Sequence, residues 1–481
     1  RCVMPGYVYF LLACAALLVG YLVYGKIVAK IFGEDDNRVT PAISMADGVD
    51  YVPMSPIKIW LIQLLNIAGI GPIFGPILGA LYGPTALLWI VIGSIFAGAT
   101  HDYFSGMLSI RYKGTNVPNI VGYNLGNVFK RIMQLFAVIL LLLVGVVFMT
   151  SPAMLLKNLT SIDMNVWLII IFVYYLLATI LPIDKIIGRL YPIFGAVLLI
   201  MAVGMTVMLF VKGYDFYPAA EMTNQFPGDN PLPIYPLIFV TIACGALSGF
   251  HATQSPLMSR CLTKESYGRP IFYGAMIGEG FIALIWATVG MTFYQSPAEL
   301  QAALASGGPA NVVNQSALSL MGSIGGILAV LGVIVLPITS GDTAFRAARL
   351  TIAEVFNFNQ TPSKNRLSIA IPLFIVGAIL TQVDFNVIWR YFGWSNQTLA
   401  CIMLWAGAAY LYRKGRFHWI ASIPATFMTS VVVCYICMDK NLGFGIDYTI
   451  SVYIGIAGAL IAIGSFLAFA NKNIEGAPTD D

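Results

Sequence analysis

The chain has 481 residues, of which 58% are hydrophobic and 10% charged, and its formal net charge is +4. Soluble domains carry about 25% charged residues, so this composition excludes a soluble core and predicts an all-α polytopic membrane protein. Since Lys and Arg mark the cytoplasmic loops of membrane proteins, the small positive charge requires no nucleic-acid partner.

The sequence contains no recognisable catalytic, metal-binding or cofactor motif. Most of the seven cysteines lie in apolar runs, where Cys behaves as a small hydrophobic residue. Cys434 and Cys437 have a C-x-x-C spacing, but no His or acidic residue accompanies them. Gly-rich phosphate loops, zinc spacings and Ser/His/Asp motifs do not stand out. We therefore expect no catalytic residue, no bound metal and no cofactor.

Apolar runs predict about 13 transmembrane helices, because about 20 apolar residues cross a bilayer. The first run continues to Tyr24 and is followed by Lys26 and Lys30, as in a membrane span rather than a cleaved signal peptide. The predicted spans are 5–31, 57–82, 84–110, 131–150, 163–181, 190–212, 235–256, 269–294, 317–338, 368–386, 394–413, 417–438 and 449–471. The longer predicted loops are 32–56, 111–130, 213–234, 295–316 and 339–367, the last with a surface helix over 343–356.

The second span is predicted to be discontinuous. Within 57–82, residues 66–79 read N-I-A-G-I-G-P-I-F-G-P-I-L-G, with four glycines and two prolines. Proline removes a backbone donor and clashes with the preceding turn, so the helix should break near the membrane midplane. Unpaired backbone groups are costly in hydrocarbon, so the break must face protein, water or a ligand. A kinked helix at a close helix contact is the alternative interpretation.

The seventh span, 235–256, is predicted to be discontinuous in the same way. It contains Gly245, Ser248, Gly249 and His251, followed by the polar sequence T-Q-S-P. Two interrupted spans in corresponding positions of two halves indicate the binding site of a transporter.

The distribution of Lys and Arg predicts the orientation of the chain. With the N-terminus outside and the C-terminus in the cytoplasm, 21 of the 26 Lys and Arg residues fall on the cytoplasmic side. Because cytoplasmic loops carry the excess of positive charge, we expect loop 339–367 and tail 471–481 inside and loop 213–234 outside. The five external residues are Arg1, Lys157, Lys212, Arg390 and Lys440.

This orientation predicts a 5+5 inverted-repeat core. The first broken span runs outward and the second runs inward, and the second starts five spans after the first. Residues 57–212 and 235–413 therefore form two five-span halves of opposite topology, as in many secondary transporters. The remaining parts are an N-terminal helix and cytoplasmic loop at 1–56, the external loop 213–234, and two additional helices and a tail at 414–481.

Five motifs in chain order resemble the CstA carbon-starvation family. They are G-P-I-F-G-P (71–76), G-A-T-H-D-Y (98–103), C-G-A-L-S-G-F-H (244–251), S-G-D-T-A-F-R-A-A-R (340–349) and N-Q-T-L-A (396–400). The resemblance implies a bacterial inner-membrane transporter with a leucine-transporter-like fold. Members of the family are associated with peptide uptake under starvation and, in close relatives, with proton-coupled pyruvate uptake. This chain is much shorter than many members, so the identity of the substrate is not carried over.

The substrate is predicted to lie between the two breaks. Because no Lys or Arg lies near the middle of a span, a carboxylate would bind the free N–H groups and positive dipole of half-helix N-termini. After Pro72, the expected free donors are Ile73, Phe74 and Gly75. The predicted substrate-binding residues are Gly69, Gly71, Ile73, Phe74, Gly75, Cys244, Gly245, Ser248, Gly249 and His251.

Protons are the favoured coupling ion, because Glu279, His251 and Asp102 are available to carry them. A satisfied core histidine is the alternative for His251. Glu279 lies inside span 269–294, and intramembrane carboxylates are functional by default; a neutral, hydrogen-bonded packing Glu is the alternative. Asp102 is a candidate proton site or the partner of a cytoplasmic Arg. Adjacent helical residues point about 100° apart, so His101 and Asp102 need not pair.

A second set of predicted ion-coupling residues, Thr339, Ser340 and Thr343, lies at the end of span 317–338. The resemblance implies that hydroxyls there join carbonyls of the first broken helix to bind sodium; a helix cap is the alternative. Asn396 and Gln397 are predicted to link helices or to form a wall of the site.

The sequence thus predicts an ion-coupled secondary transporter that imports a small carbon nutrient, a pyruvate-like carboxylate or short peptide, by alternating access across the bacterial inner membrane. Its expected partners are the substrate, a co-transported proton or sodium ion, and the bilayer. A nutrient receptor is the main alternative, although no sizeable soluble output domain is evident. An intramembrane enzyme lacks a supporting motif, and a channel is disfavoured by the inverted halves.

Overall fold

The computed structural model describes residues 5–48, 51–180, 184–216, 221–359 and 362–470, apart from the side chains of 179–180, 184–192, 194, 336 and 339. Throughout these residues the regular structure is helical. Among the described residues, eight helices are long and apolar enough to cross a membrane, or nine if one bent pair counts as a single span. The chain is therefore an all-helical, multi-pass membrane protein.

The described residues of the first half of the chain form eight helices of nine residues or more. Pro56–Ile67 and Gly71–Tyr82 form the bent pair, with an angle of 50° between the two helices. The helices are α1 (Gly6–Phe32), α2 (Pro56–Ile67), α3 (Gly71–Tyr82), α4 (Thr85–Arg111), α5 (Val117–Leu125), α6 (Asn127–Thr160), α7 (Met164–Ile180) and α8 (Asp184–Val211).

The second half begins with a second broken span, whose two helices are separated by residues 242–248. Its helices are α9 (Ile234–Thr241), α10 (Gly249–Ser259), α11 (Glu265–Phe293), α12 (Pro297–Ala329), α13 (Leu336–Val355), α14 (Ser363–Leu380), α15 (Phe385–Arg413), α16 (Trp419–Met438) and α17 (Tyr448–Phe469).

The predicted count of 13 spans stays a prediction. Four predicted spans fall on helices that are short, broken or less apolar. Those at 163–181 and 190–212 correspond to the short apolar helices Met164–Ala178 and Gly195–Val211. The other two correspond to α9 with α10, and to α15, which are absent from the eight candidate spans found among the described residues.

Most of the predicted external loop 295–316 is helical, because residues from Pro297 onward belong to α12. Ser296 accepts a hydrogen bond from the Glu299 N–H at 3.2 Å, and Glu299 accepts one from the Gln295 N–H at 3.0 Å. Ser296 is thus the N-cap, and Glu299 reaches back to the residue before it, so the S-x-x-E sequence starts a helix here. The helix continues through an Ala-rich segment to left-handed glycines at Gly308 and Gly322. The predicted surface helix 343–356 is also not separate, since it is the C-terminal part of α13.

Burial separates a central group of helices from the periphery. In α4 and α11, 78% of the most apolar window is buried, compared with 22% in α1 and 17% in α17. A helix that is apolar on all sides yet exposed in the protein faces lipid. The central helices α3, α4, α10 and α11 therefore position the site, and α1 and α17 surround it.

Ion pairs and hydrogen bonds close the predicted cytoplasmic side of this centre. Arg111 contacts both carboxylate oxygens of Glu265, at 2.6 and 2.8 Å, and also donates to the Gly33 carbonyl. Asp36 accepts hydrogen bonds from the Ser266 N–H and hydroxyl at 2.9 and 2.7 Å. The hydrogen bond from the Ser266 N–H, with a smaller contribution from the Ser266 hydroxyl, lowers the pKa of the Asp36 carboxyl.

Candidate functional site

The first break lies at residues 68–70, between α2 and α3. The amides of Ile73 and Phe74 donate to the carbonyl of Ile70 at 3.1 and 2.8 Å. The expectation that these two N–H groups are free for a carboxylate is therefore wrong. The turn at Ile70 directs the Ile70 carbonyl toward the first turn of α3, where it accepts both of these hydrogen bonds.

The second break is bridged by the side chain of Asn396 on α15. Its Nδ2 donates to the Ala243 carbonyl at 3.0 Å, and its Oδ1 accepts from the Phe250 N–H at 2.7 Å. Gln397 donates to the Phe239 carbonyl at 2.5 Å. One helix thus supplies partners for backbone groups on both sides of the break, which buried backbone groups require. The prediction that Asn396 and Gln397 link helices is confirmed by these contacts.

The two breaks meet in the protein core. A Cβ at Gly71 would lie 2.5 Å from Cys244 Sγ, so the first break approaches the second through a residue without a side chain. Gly245 has a φ of +89°, which favours glycine, and an added Cβ would lie 2.4 Å from Ala283 Cβ on α11. Ser94 of α4 donates to the Gly245 carbonyl at 2.8 Å. The predicted juxtaposition of the breaks is present.

Beside the breaks lies a chain of four buried ionisable residues. His101 Nδ1 is 2.8 Å from Asp102 Oδ1, and His251 Nδ1 is 2.8 Å from Asp102 Oδ2. His251 Nε2 is 3.3 Å from Glu279 Oε2. All four side chains have 0% exposure. We name His101, Asp102, His251 and Glu279 the buried relay.

The buried relay joins residues that are distant in the sequence. α4 carries His101 and Asp102, α10 carries His251, and α11 carries Glu279. His101 and Asp102, which need not pair as adjacent helical residues, do contact each other. Asp102 pairs with His251 rather than with the cytoplasmic arginine considered as its partner.

The end of the buried relay next to the breaks contains a possible metal-ligand set. The ligand atoms of Cys244, His251 and Glu279 all lie within 4.8 Å of one another. Thiolate, imidazole and carboxylate are the usual ligands of zinc. The Cys244 thiol, however, already lies 3.5 Å from the Ser248 hydroxyl. Proton transfer and metal binding would compete for the same atoms.

The predicted sodium residues lie on α13. The predicted substrate residues and the two predicted proton carboxylates lie on other segments of the chain. The side chain of Thr339 lies outside the described residues. Ser340 precedes Gly341, and Thr343 follows it by two residues. An added Cβ at Gly341 would lie 3.3 Å from Phe148 Cβ. An added Cβ at Gly69 would also lie 3.3 Å from Phe148, at its Cζ. Phe148 of α6 thus lies between α13 and the first break.

A cavity of about 510 Å³ lies between the breaks and the predicted external side. The sequence did not predict this cavity, which we name the vestibule. Its lining includes Tyr82 from α3, Thr241 from α9, and Trp389 and Arg390 from α15. Phe74, a predicted substrate residue, is fully buried and contacts Trp389 with ring centroids 6.1 Å apart. The spacing of Phe385 and Trp389, four residues apart on one helix face, was the available signal.

A model of the family "Carbon starvation protein CstA" matches residues 6–158, 149–303 and 287–434. An "Uncharacterized membrane protein" of Haemophilus influenzae is 51% identical over 350 residues, covering 62% of this chain and 94% of that protein. "Peptide transporter CstA" of Campylobacter jejuni is 24% identical over 551 residues, covering 88% of this chain and 78% of that protein.

The fold is similar to that of solved transporters. Mhp1, a nucleobase-cation-symport-1 family transporter in a closed conformation with bromovinylhydantoin bound, has a TM-score of 0.54 at 13% identity. The match covers 89% of this chain and 97% of Mhp1. With family matches running from α1 to α16, the chain belongs to the CstA carbon starvation family of membrane transporters.

Proposed function

We propose that the protein is a proton-coupled secondary transporter that imports a small carboxylate or short peptide across the bacterial inner membrane. The buried relay beside two broken helices is the observation that carries this proposal. Ionisable residues are expensive inside a membrane protein and mark ion and proton pathways. The relatives named peptide transporters and the cation-symport class of Mhp1 are consistent with this use.

His251 is suited to couple the two carboxylates of the buried relay. A protonated imidazole donates from both nitrogens and can serve Asp102 and Glu279 together, whereas a neutral imidazole donates from one only. Because all the groups are shielded from water, gain or loss of one proton changes which carboxylate remains paired. Since α4, α10 and α11 each carry part of the relay, that change would act directly on how these helices pack.

The proposed architecture is the one the sequence predicts. Two inverted halves, 57–212 and 235–413, would rock about a substrate held between the breaks, with the N-terminus outside and the C-terminus in the cytoplasm. Residues 1–56 and 414–481 would add helices around this core, and loop 213–234 would lie outside. The 5+5 arrangement is supported by the likeness to Mhp1 over 89% of the chain.

The test is uptake of labelled pyruvate and dipeptides into proteoliposomes, with and without a proton or sodium gradient. Glu279→Gln keeps the shape of the side chain and removes its proton exchange. We expect this variant to lose gradient-driven accumulation and to retain counterflow exchange. One charge moved across 100 mV is worth about 2.3 kcal/mol, roughly fifty-fold accumulation, so the loss is easily measured. Glu221→Gln, at an exposed loop residue, is the matched control.

Four outcomes would redirect the proposal. Normal accumulation by Glu279→Gln would make Glu279 structural. Uptake that follows sodium and not pH would move the coupling site to Thr339, Ser340 and Thr343. Uptake that requires a divalent cation and is lost in Cys244→Ser would favour the metal-ligand set. Binding without net transport of any solute would favour the nutrient receptor.

A further inference from the structure

The vestibule differs in charge from the face on which it opens. In the predicted external segments among the described residues, seven acidic residues and two lysines lie outside the vestibule lining. The lining itself contains Lys157, Arg390 and one acidic residue, Asp384. The external segments used for this count are 157–163, 212–234, 295–316, 384–393 and 439–448. A positive cavity thus opens within a negative surface.

The two cations in the vestibule are available to a ligand, whereas the acid is engaged. Among the described residues, the structure records no hydrogen bond or ion pair for the side chains of Lys157 and Arg390. Asp384 Oδ1 accepts a hydrogen bond from the Asn386 N–H at 2.9 Å and so caps the first turn of α15. The lining therefore has two positive charges against one negative charge, and the negative charge lies at the N-terminus of α15.

The position of the vestibule relates it to the breaks. Leu78 and Tyr82 of the first broken span line one part of the vestibule, and Val240 and Thr241 of the second line another. Trp389 donates to the Thr241 carbonyl at 3.3 Å and so fixes α15 to the end of α9. A solute in the vestibule would contact both broken spans before reaching the core.

We propose that the vestibule is an anion-recognition site for carboxylate solutes of net negative charge, with Arg390 and Lys157 as the groups that attract this charge. This inference rests on the proposed import function. The Arg390 guanidinium presents a planar fork that matches a carboxylate, and the Lys157 ammonium adds a flexible point charge. A volume of about 510 Å³ is within the range of small-molecule sites. Solutes with a net negative charge are therefore favoured over neutral or positive ones.

The test compares solutes of similar size and different charge in proteoliposomes. Alanyl-glutamate, alanyl-glutamine and alanyl-lysine form such a series, with pyruvate as a small anion. In Arg390→Gln we expect the KM for pyruvate and alanyl-glutamate to rise about fivefold, in the range of an exposed charge pair. The KM for alanyl-glutamine should change less than twofold and that for alanyl-lysine should not rise. Arg390→Lys should retain most of the preference.

Lys440→Gln is the matched control, because Lys440 is exposed on the same face but does not line the vestibule. Equal effects of Lys440→Gln and Arg390→Gln would mean that general surface charge, not the vestibule, selects anions. An unchanged KM for both anions in the Arg390→Gln/Lys157→Gln variant would overturn the assignment.

A binding measurement separates this inference from the proposed function. Titration of pyruvate and alanyl-glutamate against the purified protein, read from the fluorescence of its tryptophans, gives a Kd without transport. If the wild type binds these anions but transports nothing, the proposed function fails. The Kd of Arg390→Gln then shows by itself whether the vestibule binds anions. A Kd equal to that of the wild type would refute anion recognition at this site.

Discussion

At the scale of single residues, the meeting of the two breaks depends on which residue lacks a side chain. Gly71 leaves the space that the Cys244 side chain occupies, with 2.5 Å between Sγ and the place where a Cβ would lie. Real Cβ atoms do not approach sulfur so closely, so the cysteine and the glycine form a matched pair. A side chain added at residue 71 should therefore be tolerated better when the side chain at residue 244 is removed.

We expect Gly71→Ala to lower the stability of the protein by about 1–3 kcal/mol, the usual cost of overpacking a filled core. Adding Cys244→Gly should recover part of that loss, because the side-chain atoms then move from the second break to the first. Thermal unfolding in detergent measures both effects. Gly464→Ala is the control, since no atom lies within 4 Å of an added Cβ there. A double variant no more stable than Gly71→Ala would contradict direct contact.

At the scale of elements, the end of α4 and the start of α11 are held together by a buried ion pair. The side chains of Arg111 and Glu265 are 3% and 1% exposed. Glu265 also accepts a hydrogen bond from the Asp35 N–H at 2.8 Å, and Arg111 donates to the Gly33 carbonyl at 3.0 Å. Both α4 and α11 carry residues of the buried relay. The ion pair connects these two helices to each other and to the loop after α1.

Glu265→Gln should lower stability by about 3–5 kcal/mol, because breaking a buried ion pair leaves an uncompensated charge. The same detergent unfolding assay applies, with Lys264→Gln at the exposed neighbouring residue as control. In a double-mutant cycle, Arg111→Gln with Glu265→Gln should cost less than the sum of the single changes. Additive losses would show that the two side chains do not act as a pair.

At the scale of the whole molecule, the predicted orientation can be tested on exposed residues. Met222 in loop 213–234 is 41% exposed and Phe356 at the end of α13 is 75% exposed. We expect an impermeant maleimide to label Met222→Cys in intact cells and Phe356→Cys only after permeabilisation. The native cysteines in the described residues are buried or half-buried, so the wild type gives the background. The reverse labelling pattern would invert the topology drawn from the 21 to 5 distribution of Lys and Arg.

The sequence by itself determined the membrane class, both broken spans and the family, because apolar length, proline and glycine act locally along the chain. The S-x-x-E signal at 296–299 was also local, but α12 was missed because the segment after it is less apolar. The partners of Asp102, Glu279 and Asn396 lie on other helices, and periodicity within one helix does not reveal the packing between helices. The buried relay and the vestibule therefore emerged only from the tertiary structure, which brings α4, α10, α11 and α15 together. The amides of Ile73 and Phe74 show the same limit, since the turn at Ile70, and not the position of Pro72, decides whether they are free.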